Sequence, residues 1–327
     1  MTILEKLPGI TMPVAEVNRQ LGNMWHAEKE GSNAPSEFRA SQMNLILHFG
    51  IQTEPADAEA RFQEAIAFSQ RYPSRILVLC PENKHVGERF LEAKLFALCY
   101  IGDTPRSMCC CEALMLGYPP NEKGDLVNQI SIWLENDLPT CHWFHRVPAE
   151  RVRSHYLSFT RGMKRVLYDS SVEGQEYSEI PWNEPKRIRD LADARILPIR
   201  QSIGQYLSGF SPQELINGVT SLELEHSPEL AGEAHCLALW MKKCLLDAGV
   251  ANTLELSLKP LMKKNVSHRI NGKWGIQNSK NQFSFTFNLD ECQGRLKASF
   301  GQMATEDYPI ECHLLPPHEA LSEAIFF

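Results

Sequence analysis

Residues 55–81, PADAEARFQEAIAFSQRYPSRILVLCP, carry a helix, a stop and a buried strand in one continuous run. From Pro55 to Arg71 the period is helical, with Ala58, Phe62, Ala65 and Ile66 on one face. Pro73 ends that periodicity. Arg75-Ile-Leu-Val-Leu-Cys80 then runs apolar on both faces and closes at Pro81, the pattern of a strand covered on both sides.

Upstream, Val14, Val17, Leu21 and Met24 repeat at helical spacing behind Pro13, and Phe38 to Phe49 reads as a strand ending at Gly50. Downstream, Lys94–Ile101 and Ser107–Leu116 are β-formers joined by the turn Gly102–Arg106, an antiparallel pair. A helix follows with Leu126, Ile130, Trp133 and Leu134 on one side. Next come a strand over Thr140–Val147, a helix over Pro148–Gly162 and a strand over Arg165–Asp169. This alternation predicts a layered α/β domain with a mixed sheet. Ser171 to Pro185, rich in Glu, Pro, Ser and Gly, reads as a long surface loop.

Beyond that loop, Pro198 opens a helix with Ile199, Ile203, Tyr206, Leu207 and Phe210 on one side. Ser227-Pro228-Glu229 carries a cap, a fixed φ and an acid in the first turn. The stripe behind it is Leu230, Ala234, Leu237, Met241 and Leu245, ended by Gly249. From Thr253 to Cys312 the pattern is β, with Phe283, Phe285 and Phe287 opposed to Ser284 and Thr286. The expected organisation is an α/β domain over 1–210, including a helical segment 187–210. A smaller α+β domain over 211–327 then places a helix on an antiparallel sheet.

Composition narrows the function classes. The 327 residues are 43% hydrophobic and 22% charged, near the globular average, so disorder is excluded. A net charge of -7 without a long basic run, Lys263-Lys264 being only a pair, argues against nucleic acid. Apolar stretches are strand-sized, short of the roughly 20 residues of a membrane span. The first residues lack a basic region followed by an apolar one, so no signal peptide is expected. The ten cysteines sit in apolar company, as in Val78-Leu79-Cys80, which fits free thiols in a reducing cytoplasm. Asn265-Val266-Ser267 matches a glycosylation sequon, without meaning there.

The usual catalytic signatures are missing: no phosphate-binding glycine loop, no paired-histidine zinc motif, no nucleophile elbow. Cys109-Cys110-Cys111 admits a metal or redox site, but on a strand Cys110 points away from its neighbours, and packing is the reading alternation favours. In Cys141-His142-Trp143-Phe144-His145, Cys141, Trp143 and His145 share one face. The pair Cys141 and His145 lacks further ligands, and packing of Trp143 is again favoured. No metal and no cofactor are expected. Arg187, Arg189, Asp190, Asp193, Arg195 and Arg200 alternate in charge, either as a solvated, mutually paired surface or as a polar junction or partner contact. Asp169-Ser170-Ser171 ends a strand where α/β sheets bind ligands, or simply turns the chain.

Four segments in order resemble the OpcA family, the glucose-6-phosphate dehydrogenase assembly proteins. They are Ser74-Arg-Ile-Leu-Val-Leu79, Asp137-Leu-Pro-Thr-Cys-His-Trp-Phe144, Arg165-Val-Leu-Tyr-Asp-Ser-Ser171 and Asp190-Leu-Ala-Asp-Ala-Arg-Ile-Leu-Pro-Ile-Arg200. The helix from Ser227 and the β-rich end are also similar to that family's second domain. Asp193 and Ile199 stand where the family commonly has tryptophan, and Leu197 replaces a polar helix cap. The resemblance implies a non-catalytic protein that promotes assembly and activity of glucose-6-phosphate dehydrogenase, the NADP site belonging to that partner. On that reading Asp137, Trp143, Arg146, Arg187, Arg189, Asp190, Arg195 and Arg200 are candidates for partner contact. Asp169 and Ser170 are candidates for a ligand or a junction. The competing readings are a sugar-phosphate or nucleotide enzyme with its site at strand ends near Asp137 and Asp169, and a thiol-based redox sensor.

Overall fold

The computed structural model describes residues 1–23, 41–82, 91–100, 109–120, 123–261, 268–277, 281–300 and 303–327. The turn Gly102–Arg106, the pair Lys263-Lys264, the sequon at Asn265, and Met24 fall outside these, as do the side chains of Cys109 and Cys110. The protein is α/β, and its contacts divide it into two compact units. The first holds residues 1–168, 175–189 and 321–327; the second holds 169–174 and 190–320.

The first unit contains a mixed eight-stranded sheet in the order β1-β4-β5-β3-β2-β6-β7-β8. The strands are β1 (Ile10–Pro13), β2 (Met43–Phe49), β3 (Ser74–Pro81), β4 (Glu92–Tyr100), β5 (Cys109–Tyr118), β6 (Thr140–His145), β7 (Arg165–Tyr168) and β8 (Ile188–Asp190). The run β5-β3-β2-β6-β7 is parallel, and β4 and β1 add antiparallel at one side. Every residue of β2 and β3 is buried, as a central parallel strand requires. Helix α1 (Pro55–Arg71) covers one face with Ala58, Phe62, Ala65 and Ile66. Helix α2 (Lys123–Trp133) brings Leu126, Ile130 and Trp133 to the other, in a core with Ile46, Leu77, Leu114 and Phe144.

Two local expectations over residues 148–185 are corrected. Residues 149–160 form a one-turn α-helix, then a π-helical and a 3₁₀ turn, instead of one regular helix. The segment 171–185 is no open loop. It contains helical turns over Ser170–Glu173 and Gly174–Glu179, and Tyr177 is wholly buried with its hydroxyl donating to the Val147 carbonyl at 2.5 Å. An aromatic anchor inside a polar stretch carries no periodicity, so composition alone misleads there.

The second unit holds a six-stranded sheet in the order β10-β9-β11-β12-β13-β14. Its strands are β9 (Val219–His226), β10 (Glu255–Pro260), β11 (Arg269–Ile276), β12 (Gln282–Asn288), β13 (Gln293–Phe300) and β14 (Met303–Glu311). All pairs are antiparallel except β9 with β10. Those two are joined through the 17-residue helix Ala231–Asp247, and a crossover of that kind brings its strands back parallel. Phe283, Phe285 and Phe287 are buried, as their alternation predicts, and so are Leu230, Ala234, Leu237, Met241 and Leu245 of the helical stripe.

The expected boundary at 210 differs from the one the contacts give. Ile199, Ile203 and Phe210 sit in the same core as Leu237, Phe283 and Phe300, so the helix Leu197–Leu207 belongs to the second unit. Amphipathic spacing showed that this helix has a buried face but not which sheet receives it. Ser227 also differs from expectation: its hydroxyl accepts from the Arg269 amide at 2.9 Å and makes no helix cap.

Candidate functional site

In the second unit, the motifs around Asp169 and Asp190 converge on one polar network. Asp169 is the N-cap of the Ser170–Glu173 turn, its Oδ1 accepting from the Ser171 amide at 3.0 Å. Both its oxygens also accept from Arg195, Nη1 to Oδ2 and Nη2 to Oδ1, each at 2.7 Å. Arg195 donates on to Glu233 Oε1 from Nε at 2.8 Å, and Ser171 Oγ donates to Glu233 Oε2 at 2.6 Å. Gly232 makes this approach possible. A Cβ there would lie 2.4 Å from Ser171 Oγ and 2.5 Å from its nitrogen.

The ionisable side chains of this network are shielded: 15% exposed for Arg195, 7% for Asp169 and 4% for Glu233. Burial opposes the Arg195 charge, but the two carboxylates outweigh it and hold the guanidinium protonated even more firmly than usual. Beside it, Asp190 Oδ1 accepts from the amides of Ser170 (3.0 Å) and Ala192 (2.9 Å), and Cys236 Sγ lies 3.4 Å from Oδ2. Burial raises the Asp190 carboxyl and pushes the Cys236 thiol up. Asp169, Asp190 and Arg195 therefore make their hydrogen bonds inside the second unit, to the 170–173 turn, the start of the next helix and Glu233.

The remaining cluster members go elsewhere. Arg200 chelates Asp193 at 2.9 and 3.0 Å. Arg189 donates to the carbonyls of Lys186 and Ile188. Arg187 donates to the Met163 carbonyl at 2.8 Å and pairs with Glu184 at 3.0 Å. Trp143 is only 2% exposed, on the face of β6 that it shares with His145, so it offers no surface to a partner. Asp137 and Arg146 are exposed but flank opposite ends of β6. Six strand residues separate them by about 20 Å, so they cannot share one small patch.

At the C-terminal ends of the parallel strands, sequence order reverses between β2 and β6, the position where open α/β sheets bind ligands. There the Gly50 amide donates to the His145 carbonyl at 2.8 Å, and a Cβ on Gly50 would lie 1.6 Å from the Arg146 oxygen. Arg146 itself turns through φ 55°. Asp57, in the first turn of α1, accepts from His145 Nε2 at 2.9 Å and Arg146 Nε at 2.5 Å. Burial works against the Asp57 charge, but Arg146 and His145 outweigh it and hold the carboxyl below its ordinary range. Gly50→Ala is expected to cost about 1–3 kcal/mol by overpacking this exit, read as a lower urea midpoint at unchanged slope.

Behind that edge lies a buried chain that sequence reading missed. Arg151 Nε lies 3.3 Å from Tyr156 Oη, which is 3.2 Å from Tyr118 Oη. Tyr118 Oη is 2.7 Å from His48 Nε2, and His48 Nδ1 is 3.1 Å from His142 Nε2. A guanidinium can only donate, so a consistent assignment runs from Arg151 through both hydroxyls. It makes His48 and His142 Nδ1–H tautomers, and His142 Nδ1 has no partner among the described residues. Burial holds His48 well below its ordinary pKa, helped by His142 and Arg151, and brings His142 down to about 3. Alternation did put His142 and Phe144 on one face, where their rings stack 4.2 Å apart. The partners Tyr118 and Tyr156 come from remote segments that no local pattern links.

Among the described residues no group of three or more His, Cys, Asp or Glu is placed to hold a metal, and no helix is long and apolar enough to cross a membrane. Cys80, Cys111, Cys141, Cys236 and Cys312 are buried. Burial raises the Cys141 thiol to about 11, away from the depressed range of reactive thiols.

No protein-family model matches the chain, and no curated protein matches it. Among solved structures it is similar to one described as glucose-6-phosphate 1-dehydrogenase from Mycobacterium avium. That likeness has 10% sequence identity, covers 87% of each chain and gives a TM-score of 0.47. Nothing about activity follows from a likeness of this degree.

Proposed function

We propose that this protein is a non-catalytic partner that promotes assembly or activity of glucose-6-phosphate dehydrogenase. What carries the reading is the meeting of Asp169 and Ser171, from one OpcA-like motif, with Arg195 of another, in one ion network. Motifs twenty-odd residues apart that interlock side chain to side chain resemble a shared fold signature more than two chance strand-like matches. Arg75, from the first such motif, is likewise spent inside the fold, on Glu112 at 2.5 Å and Glu135 at 2.6 Å. The mechanism would be a population shift, the active form of the dehydrogenase being the one bound better. The enzyme reading gains no support at Asp169, whose two oxygens are engaged by Arg195.

The test mixes the purified chain with the dehydrogenase. Co-elution and a gain in dehydrogenase activity are expected. Charge reversal at either Asp137 or Arg146 should weaken the complex about tenfold, showing which end of β6 makes the contact. Two well-folded proteins that neither co-elute nor change activity would end the proposal.

A further inference from the structure

At the N-terminal edge of the first unit's sheet, a cleft of about 570 Å³ opens between the 134–140 loop and the starts of β6 and β7. Its volume falls in the range of small-molecule pockets, about 300–1,000 Å³. Lys164, Arg165 and Arg187 line it, and Glu135 is its one lining carboxylate. That acid is held by Arg75 Nη2 at 2.6 Å and Arg187 is paired with Glu184 at 3.0 Å, which leaves Lys164 and Arg165 as the surplus cations lining the cleft in a chain of net charge -7.

The cleft is built beforehand. Asn44, wholly buried, pins its wall: Nδ2 donates to the Glu135 carbonyl at 3.0 Å and Thr140 Oγ1 at 3.1 Å, and Oδ1 accepts from the Glu135 amide at 3.1 Å. The Lys164 amide donates to the Thr140 carbonyl at 2.7 Å, fixing the floor. Arg165 is half-buried in this wall, its Nη1 donating to the Lys164 carbonyl at 3.3 Å. Leu134, Leu138 and Pro139 supply apolar wall.

We propose that this cleft binds a phosphorylated small molecule of sugar size. The phosphate is taken by Arg165, Arg187 and Lys164, and the carbon skeleton lies against Leu138 and Pro139. Arginine suits this task because its planar fork matches phosphate oxygens two at a time. The site is independent of the dehydrogenase reading, since it concerns only what the isolated chain binds.

Isothermal titration of the full chain with glucose 6-phosphate at low salt tests it, with glucose and inorganic phosphate titrated alongside. Saturable one-site binding of the sugar phosphate is expected, with weaker binding of inorganic phosphate and none of glucose. Lys164→Gln, at an exposed position, should weaken it about tenfold while leaving the urea midpoint in place; Arg187→Gln should weaken it as much, with a lower midpoint from the lost Met163 and Glu184 contacts. The proposal is overturned if no saturable heat appears up to about 10 mM ligand, or if both variants bind as the parent does. It is equally overturned if a hexaglutamate peptide binds and the sugar phosphate does not, which would make the cleft a site for acidic protein segments.

Discussion

Arg195→Ala is expected to destabilise the protein by about 3–5 kcal/mol, the range for removing one partner of a buried ion network. The cause is what remains. Asp169 and Glu233 would face each other across a site almost sealed from water, each having lost its charged donor. Ser171 Oγ can still donate to Glu233, and the Ser171 amide to Asp169, but neither carries a positive charge. Arg195→Lys should recover only part of the loss, because an ammonium cannot bond Asp169 at both oxygens and reach Glu233 as well. Neutralising the acids at the same time, with Asp169→Asn and Glu233→Gln added to Arg195→Met, should restore more stability than the lysine does, since no uncompensated charge stays buried. Urea unfolding of the four proteins separates these outcomes. An Arg195→Ala protein within about 1 kcal/mol of the parent would show the network to be only decoration of a surface.

Stability should also fall steeply as the pH drops below about 6.5, through His48 and His142. In the folded chain both imidazoles are buried and neutral, with pKa values depressed, that of His142 to about 3. In the unfolded chain they take up protons near 6.5. The unfolded state therefore binds more protons between 6.5 and the folded values, so the contribution is complete above 6.5 and is lost as the pH falls through that window. Each histidine contributes up to about 1.4 kcal/mol per pH unit once the pH is well below 6.5. His145 and His235, also depressed by burial, act in the same direction, while the raised Asp190 carboxyl acts in the opposite one at the low end. His142→Phe should reduce the slope by about one proton, whatever it does to absolute stability. A slope unchanged by that substitution would mean His142 is already protonated in the fold.

Much of the architecture was legible in particular residues. Pro55, Pro73 and the apolar spacing between them delimited α1 to the residue, because helix termination and facial periodicity are local. The same holds for the stripe from Leu230 to Leu245 and for the alternating phenylalanines of β12, all buried as read. Where local pattern was weak, reading failed. The polar stretch around Tyr177 concealed a buried ring, and the 148–162 segment broke its helix at the π and 3₁₀ turns between Val152 and Thr160.

The candidate sites were legible only as lists of groups. The alternating charges from Arg187 to Arg200 announced ion pairing, yet nothing in that stretch could reveal that Arg195 turns inward to Asp169 and Glu233 while Arg187 turns to a cleft. Likewise His48 and Tyr118 lie 70 residues apart and meet at 2.7 Å.

By itself, then, the chain's order of residues determined, outside the 148–162 and 171–185 segments, which stretches become helices and strands, which face of each is buried, and that the protein is layered α/β. Those properties follow from short-range sterics and from the period at which apolar groups recur. Tertiary structure alone decided which sheet receives the 197–207 helix, which acid each arginine finds, and where a cationic cleft opens. Such choices depend on strand order and on burial, which set distances between groups remote in the chain and the cost of leaving any of them without a partner.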